Sequence, residues 1–277
     1  MTATAHTRPV VSVDELQRAW RAVQSGQFRG PAQPCSTNRT PPPTTSHVWT
    51  PSPDEQVLPV VRCPGAQGAT TFALALATAA KQAARVVECS SPTSSGLAAA
   101  STAELGEHPS GWAQGTRGDV LLQRIGTQLA GVNDVPPPLA AQTTTLTVLD
   151  VGWDLGHVLR TPSWVAAHIN QATAVVLVTC ATVPGLRHLE SALGMLGGTP
   201  TVVVVIIGPP RKRWPKTVQH SAGSSTRAAE RAGRLVGAPR DRQLAIAGLD
   251  STPLPAALLR AAETVLTLVD PVRKGSQ

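Results

Sequence analysis

CPGAQGATTFALALATAAKQAARVVEC, residues 63–89, decides how the rest of the chain is read. It enters from the apolar run VLPVVRC, turns through two glycines into an alanine- and leucine-rich segment, and leaves through a second apolar run, ARVVEC. Alanine and leucine favour helix, and short unalternated runs of valine suit strands buried on both faces. Strand, turn, helix and strand is the building unit of a parallel sheet. TLTVLDVG, AVVLVTC and PTVVVVIIG repeat the apolar-run pattern farther on, each beside helical sequence. From Val57 onward the chain is therefore expected to be α/β, a three-layer α/β/α sandwich with five or more mostly parallel strands.

In such a sheet ligands gather at the carboxyl ends of the strands, and the first strand-to-helix turn is an anion site. Here that turn is Pro64-Gly65-Ala66-Gln67-Gly68-Ala69-Thr70-Thr71. Glycines let the backbone curl so that N–H groups converge, the helix N-terminus adds partial positive charge, and a threonine hydroxyl can ligate magnesium. The plainer reading of the same residues is a tight turn whose threonines serve only as helix-start hydroxyls.

At this loop the chain resembles the ParA/MinD-like P-loop ATPases, whose pattern is K-G-G-x-G-K-T-T. Gly65, Gly68, Thr70 and Thr71 match that pattern, but Pro64 stands at the signature lysine, Ala66 at the second glycine and Ala69 at the phosphate-gripping lysine. Asp150, in LTVLDVG, stands where the family has its strand-end aspartate. AVVLVTCATVPGLRHLESALGML and the closing GAPRDRQLAIAGLDSTPLPAALLRAAETVL extend the resemblance over residues 57–268. ECSSPTSSG departs from the family's D-x-D-P, with only Glu88 and Pro92 similar. The resemblance implies a P-loop NTPase-like domain with a degenerate nucleotide site at Gly65, Ala66, Gln67, Gly68, Ala69, Thr70, Thr71 and Asp150. Thr70 and Asp150 are then the magnesium candidates, and ATP or ADP with magnesium binds weakly or not at all. In phosphoryl transfer the lysine offsets phosphate charge, so its loss costs on the order of 3 kcal/mol, roughly a hundredfold in rate. Lys81 is more than two turns down the helix and Arg62 is on the incoming strand, so neither is an obvious substitute. Arginines from a distant loop or a second subunit stay open.

The 277 residues carry a net charge of +7, and 20 of the 24 cations are arginine. Nine cations between Arg211 and Arg242 face only Glu230 and Asp241. Such a run is either a solvated face or a contact for an anionic partner, namely DNA, an acidic protein or a membrane surface. GPPRKRWP, residues 208–215, is its most concentrated part, and Arg211, Lys212, Arg213 and Trp214 are the partner-binding candidates. Trp214 beside arginines suits stacking on a base, or plugs a core edge.

Seven prolines in the 23 residues from Pro31 to Pro53 exclude regular structure there. Residues 1–56 are expected to form a disordered tail with a short amphipathic helix near 12–24, where Ser12 and Glu15 make a capping box and Leu16, Trp20 and Val23 share a face. Residues 57–270 would be the domain and 271–277 a C-terminal tail. No apolar run reaches the roughly 18 residues of a membrane span, and no secretory leader is visible. Four scattered cysteines without a C-x-x-C pair fit a reducing compartment, and the expectation is cytoplasmic. Dispersed histidines, no H-E-x-x-H, no G-x-S-x-G and no G-x-G-x-x-G argue against zinc, serine-nucleophile and nicotinamide enzymes. Ser95–Ile125, with Trp112, Arg117 and Asp119, reads as a polar insertion, either switch-like or a surface loop.

The functional expectation is a ParA/MinD-like regulatory or scaffolding module in partitioning, positioning or transfer of DNA or a protein assembly. It would act through a protein partner, with a homodimer possible. The alternatives are an active but atypical ATPase and a DNA-binding accessory protein using residues 211–242.

Overall fold

The computed structural model describes residues 49–269, apart from 66, 95, 141–142 and 198–199, together with 13, 17–18 and 20–21. The five residues of the expected helix near 12–24 that are described are helical and exposed. The rest of the tail, including the proline run up to residue 48, and residues 271–277 lie outside the described residues. Residues 1–45 and 46–277 form separate units.

Nine strands build one sheet: β1 Gln56–Arg62, β2 Ala84–Cys89, β3 Ala103–Glu107, β4 Trp112–Arg117, β5 Val120–Ile125, β6 Leu146–Val151, β7 Ala174–Cys180, β8 Thr201–Ile207 and β9 Leu235–Ala238. Their order is β3-β4-β5-β2-β6-β1-β7-β8-β9. All neighbours from β5 to β9 are parallel, as the valine-rich runs predict, and only β3-β4-β5 are antiparallel. Pro59 sits in a central strand without breaking the sheet. It pairs with Leu149 of β6, while pairing to β7 starts only at Val60, so its missing N–H falls where no partner strand waits.

Helices cover both faces. On one, α1 (Ala69–Ala79) packs between the sheet and α8 (Ala256–Val269), and its Phe72, Leu74 and Leu76 are buried with Leu258, Val265 and Leu266. A helix apolar nearly all round needs cover on every side, and this position supplies it. On the other face lie α2 (Leu155–Arg160), α3 (Trp164–Gln171), α4 (Val183–Leu196), α5 (Lys216–His220) and α6 (Ser224–Arg231). A short α7 (Arg242–Ala247) has no buried residue. The three-layer α/β/α architecture with a mostly parallel sheet is as expected.

Two expectations are corrected. Ser95–Ile125 is not a polar loop: it folds into the meander β3-β4-β5, and β5 adds in parallel to β2. Trp112 is fully buried, its indole N–H donating to the Pro137 carbonyl at 2.9 Å. Arg117 is buried as a brace, donating to the carbonyls of Ala100, Asp250 and Thr252, and Asp119 is exposed in the β4–β5 turn. The fold also begins before Val57. Trp49 is buried edge-on to Trp164 at 5.5 Å, and the Glu55 carboxylate pairs with Arg85 at 2.7 Å.

Candidate functional site at the first strand-to-helix turn

β1 ends at the centre of the sheet, and the loop after it carries the chain up and over into α1. Gly65 (φ 73°) and Gly68 (φ 94°) both adopt the left-handed conformation that side chains disfavour. Gly68 is the N-cap of α1, and a Cβ there would lie 2.9 Å from Ile207 Cδ1 at the end of β8. Both matched glycines are therefore required by geometry. The loop is braced from α4 and β7: His188 Nδ1 donates to the Pro64 carbonyl at 2.8 Å, and Cys180 Sγ approaches the Gln67 carbonyl at 3.9 Å. Ala66 lies outside the described residues.

Behind the loop the structure brings together three of the polar residues singled out in the sequence. Glu88 and Asp150 are register partners on adjacent strands β2 and β6, both buried. Thr70, at the start of α1, donates its hydroxyl to Asp150. The Gly96 N–H donates to Glu88 Oε1 at 3.1 Å, so the segment after β2 lies against the pair. Burial first, and the like charge of Glu88 second, push the Asp150 carboxyl up to about 7, against the opposing pull of Thr70 and Arg62. Thr70 and Asp150, the magnesium candidates of the sequence, are thus hydrogen-bonded to each other. No group of three or more His, Cys, Asp or Glu among the described residues is arranged around a metal.

The lysine positions offer no cation. Ala69 is buried against the core, and Pro64 is exposed at the loop's rim. Lys81 is committed elsewhere, its ammonium 3.0 Å from Glu263 on α8. Arg62, by contrast, lines the same cavity as the loop. That cavity has a volume of about 420 Å3 and is bounded by Arg62, Pro64, Gly65, Gln67, Trp153 and Asp154. In the sequence Arg62 reads as a strand residue, yet as the last residue of β1 it emerges at the strand's carboxyl end. Trp153 carries no motif that would single it out. The signal for it is its place two residues past the end of β6, the strand that carries Asp150.

Two of the described cysteines are unsuited to thiol chemistry. Burial pushes the Cys63 thiol up to about 12, and Cys89, enclosed beside Asp150 and Glu88, is raised well above its ordinary value. The partner candidates divide. Lys212 and Arg213 are exposed, whereas Arg211 pairs with Glu230 at 2.9 Å and lies 5.2 Å over the Trp214 ring. Trp214 itself is buried, its indole N–H donating to the Pro209 carbonyl at 2.9 Å. It is a core plug with no free ring face for a base. Nor is the basic run one patch: Lys212 and Arg213 follow β8, but Arg234 precedes β9 at the opposite end of the sheet, in a second cavity with Thr173, Thr201, Leu268 and Val269.

No protein-family model matches the chain, and no curated protein matches it. Among solved structures it is similar to the MinC:MinD cell division protein complex of Aquifex aeolicus, at 14% identity and TM-score 0.49 over 77% of this chain and 95% of that one. The cell division ATPase MinD of Pyrococcus furiosus gives 15% identity and TM-score 0.49 over 77% and 99%. A putative plasmid partition protein from Borrelia burgdorferi B31 bound to AMPPNP gives 11% identity and TM-score 0.47 over 77% and 97%. At such identities the similarity is one of chain path and not of side chains.

Proposed function

We propose that the chain is a regulatory or scaffolding module on a ParA/MinD-like frame, serving partitioning, positioning or transfer of DNA or of a protein assembly without efficient ATP hydrolysis. The observation that carries this reading is the methyl group of Ala69, buried where the family's loop carries its phosphate-gripping lysine. The nearest lysine in sequence, Lys81, is held by Glu263. A buried Asp150 that holds its proton more tightly than an ordinary carboxyl is also a poorer metal ligand than an exposed carboxylate, since ligation must first remove that proton. The retained glycine geometry keeps the loop's shape while its charge is gone. A module of this kind acts through a protein partner in the cytoplasm and can form a homodimer.

Turnover of ATP by the purified chain with magnesium is expected to equal that of its Asp150→Asn variant. Hydrolysis on the order of one per second that the substitution abolishes would overturn the reading in favour of an atypical ATPase. A second reading, a DNA-binding accessory protein, is favoured by the exposed Lys212, Arg213, Arg240 and Arg242, which follow β8 and β9 at the loop's end of the sheet.

A further inference from the structure

We infer that the cavity at the opposite end of the sheet from the loop is a binding site for a monocarboxylate with a short apolar chain, its carboxylate held by Arg234. The inference goes beyond the loop reading above and does not rest on it. This cavity of about 420 Å3 lies at the amino ends of β7, β8 and β9, where Thr173, Thr201 and Arg234 line it beside Leu268 and Val269 at the end of α8. No acidic side chain is among the described residues that line it. Arg234 is exposed and makes no salt bridge among the described residues, so its guanidinium fork is available to an oxyanion. Its backbone is fixed on both sides, the N–H donating to the Ala229 carbonyl at 2.9 Å and the carbonyl accepting from the Val204 N–H at 2.8 Å. Thr173 and Thr201 are tied together in the same way, the Thr201 N–H donating to the Thr173 carbonyl at 3.0 Å. The cation and both hydroxyl residues therefore stand on rigid backbone around one cavity.

The chemistry of the walls selects the ligand. A planar carboxylate matches the parallel N–H groups of a guanidinium, and threonine hydroxyls are further donors for its oxygens. One guanidinium offsets one negative charge. A phosphate dianion would leave its second charge near the end of α8, whose last carbonyls carry the negative end of the helix dipole. The carboxyl end of α6 differs, because the N–H groups of Ala232, Gly233 and Arg234 donate to the carbonyls of Ala228, Glu230 and Ala229 and tie it off. The end of α8 also sets the ligand's direction. Its carboxylate lies towards Arg234, and its apolar chain lies on Leu268 and Val269, tightening binding by up to about fourfold for each methylene group it buries. A medium-chain fatty acid has this combination.

Octanoate, acetate and 1-octanol, titrated calorimetrically into the full chain, test the inference. Octanoate should bind more tightly than either, since acetate lacks the apolar chain and octanol lacks the charge. Arg234→Gln should weaken octanoate by about tenfold or more, the range expected on removing a charge-assisted hydrogen bond. Since Arg234 is exposed, the Gln variant should keep the parent's unfolding midpoint. Arg213→Gln, after β8 at the loop's end of the sheet, should leave octanoate binding unchanged, which separates a site from the diffuse attraction of a net charge of +7. Ala232→Trp, at an exposed position on the cavity wall, should fill the cavity and abolish binding. Unchanged octanoate affinity in Arg234→Gln, equal weakening by Arg213→Gln, octanol binding as tightly as octanoate, or no octanoate binding at about 10 mM in the folded parent would overturn it. None of these results bears on ATP turnover, so this inference and the scaffold reading fail separately.

Discussion

Strands β2 and β6 carry two buried polar clusters, three positions apart and therefore on opposite faces of the sheet. On one face Arg85 pairs with Glu55 at 2.7 Å, donates Nε to the Thr147 hydroxyl at 2.6 Å and Nη1 to the Leu139 carbonyl at 2.5 Å, and lies 5.4 Å under Trp49. On the other, Glu88 faces Asp150, with the Thr70 hydroxyl on Asp150 and Arg62 as an opposing charge. The first cluster balances one positive with one negative charge and places each nitrogen of the guanidinium. The second holds two carboxylates at the strand ends, and there Asp150 holds its proton more tightly than an ordinary carboxyl. A closed cluster holds the fold, whereas a conflicted one beside an open cavity is where a ligand finds something to change.

The largest expected effect breaks the first cluster. Arg85→Ala leaves Glu55 charged and buried, and should lower stability by about 3–5 kcal/mol in urea unfolding, the range for removing one partner of a buried pair. It also loosens Trp49, since the guanidinium is that ring's neighbour. A decrease below about 1 kcal/mol would mean that water reaches Glu55 and that the cluster is not closed.

The second cluster should respond to pH rather than to truncation. Asp150 is raised above its ordinary 3.8 to about 7, so the native state holds a proton that the unfolded chain releases at lower pH. Its contribution is present in full below about pH 4 and is lost as pH rises through about 7. The Asp150→Asn variant should match the parent near pH 4 and exceed it near pH 8 by up to about 4 kcal/mol, the equivalent of roughly three pKa units. Glu190 works in a different window. Burial would raise it, but hydrogen bonds from Ser225 and Thr226 at the start of α6 outweigh that and hold it at about 2, so its contribution fades only as pH falls below about 4.5. Parallel stability curves for parent and Asp150→Asn between pH 4 and 8 would remove the conflict from the second cluster.

The contrast between the clusters is only partly legible in the sequence. The five strands read from it announce themselves as continuous Val, Ile and Leu runs because both their faces are buried, and the loop's glycines announce a turn. Asp150 is visible as an acid ending such a run. Arg85 and Glu55 are not, because their partners lie 30 and 62 residues apart and each alone looks like a surface charge. The meander escapes a strand reading because β3 is exposed throughout and β4 only half covered, so Gly115, Arg117 and Gln123 dilute the apolar signal. Trp214 gives the opposite error. Its arginine neighbours suggest an exposed ring, while the fold turns it into the core and leaves only the cations outside.

The smallest effect on stability, and the sharpest test of which end of the sheet meets partners, comes from those cations. Lys212 and Arg213 are exposed and form no ion pair among the described residues, so replacing both with glutamate should leave the unfolding free energy within about 0.5 kcal/mol. Arg211 is left intact because its pairing with Glu230 and its stacking on Trp214 tie it to the fold. If the loop's end of the sheet binds duplex DNA, the double variant should weaken binding at about 50 mM salt. It should also make the salt dependence shallower, by about 0.9 in log–log slope for each phosphate no longer neutralised. Arg234→Glu, at the opposite end, should do neither. The control matters because a diffuse field of +7 would respond to any charge reversal, wherever it lay. An equal weakening by Arg234→Glu would show that net charge alone drives binding. No DNA binding by the parent at that salt would leave the cations as a solvated face and remove the accessory reading.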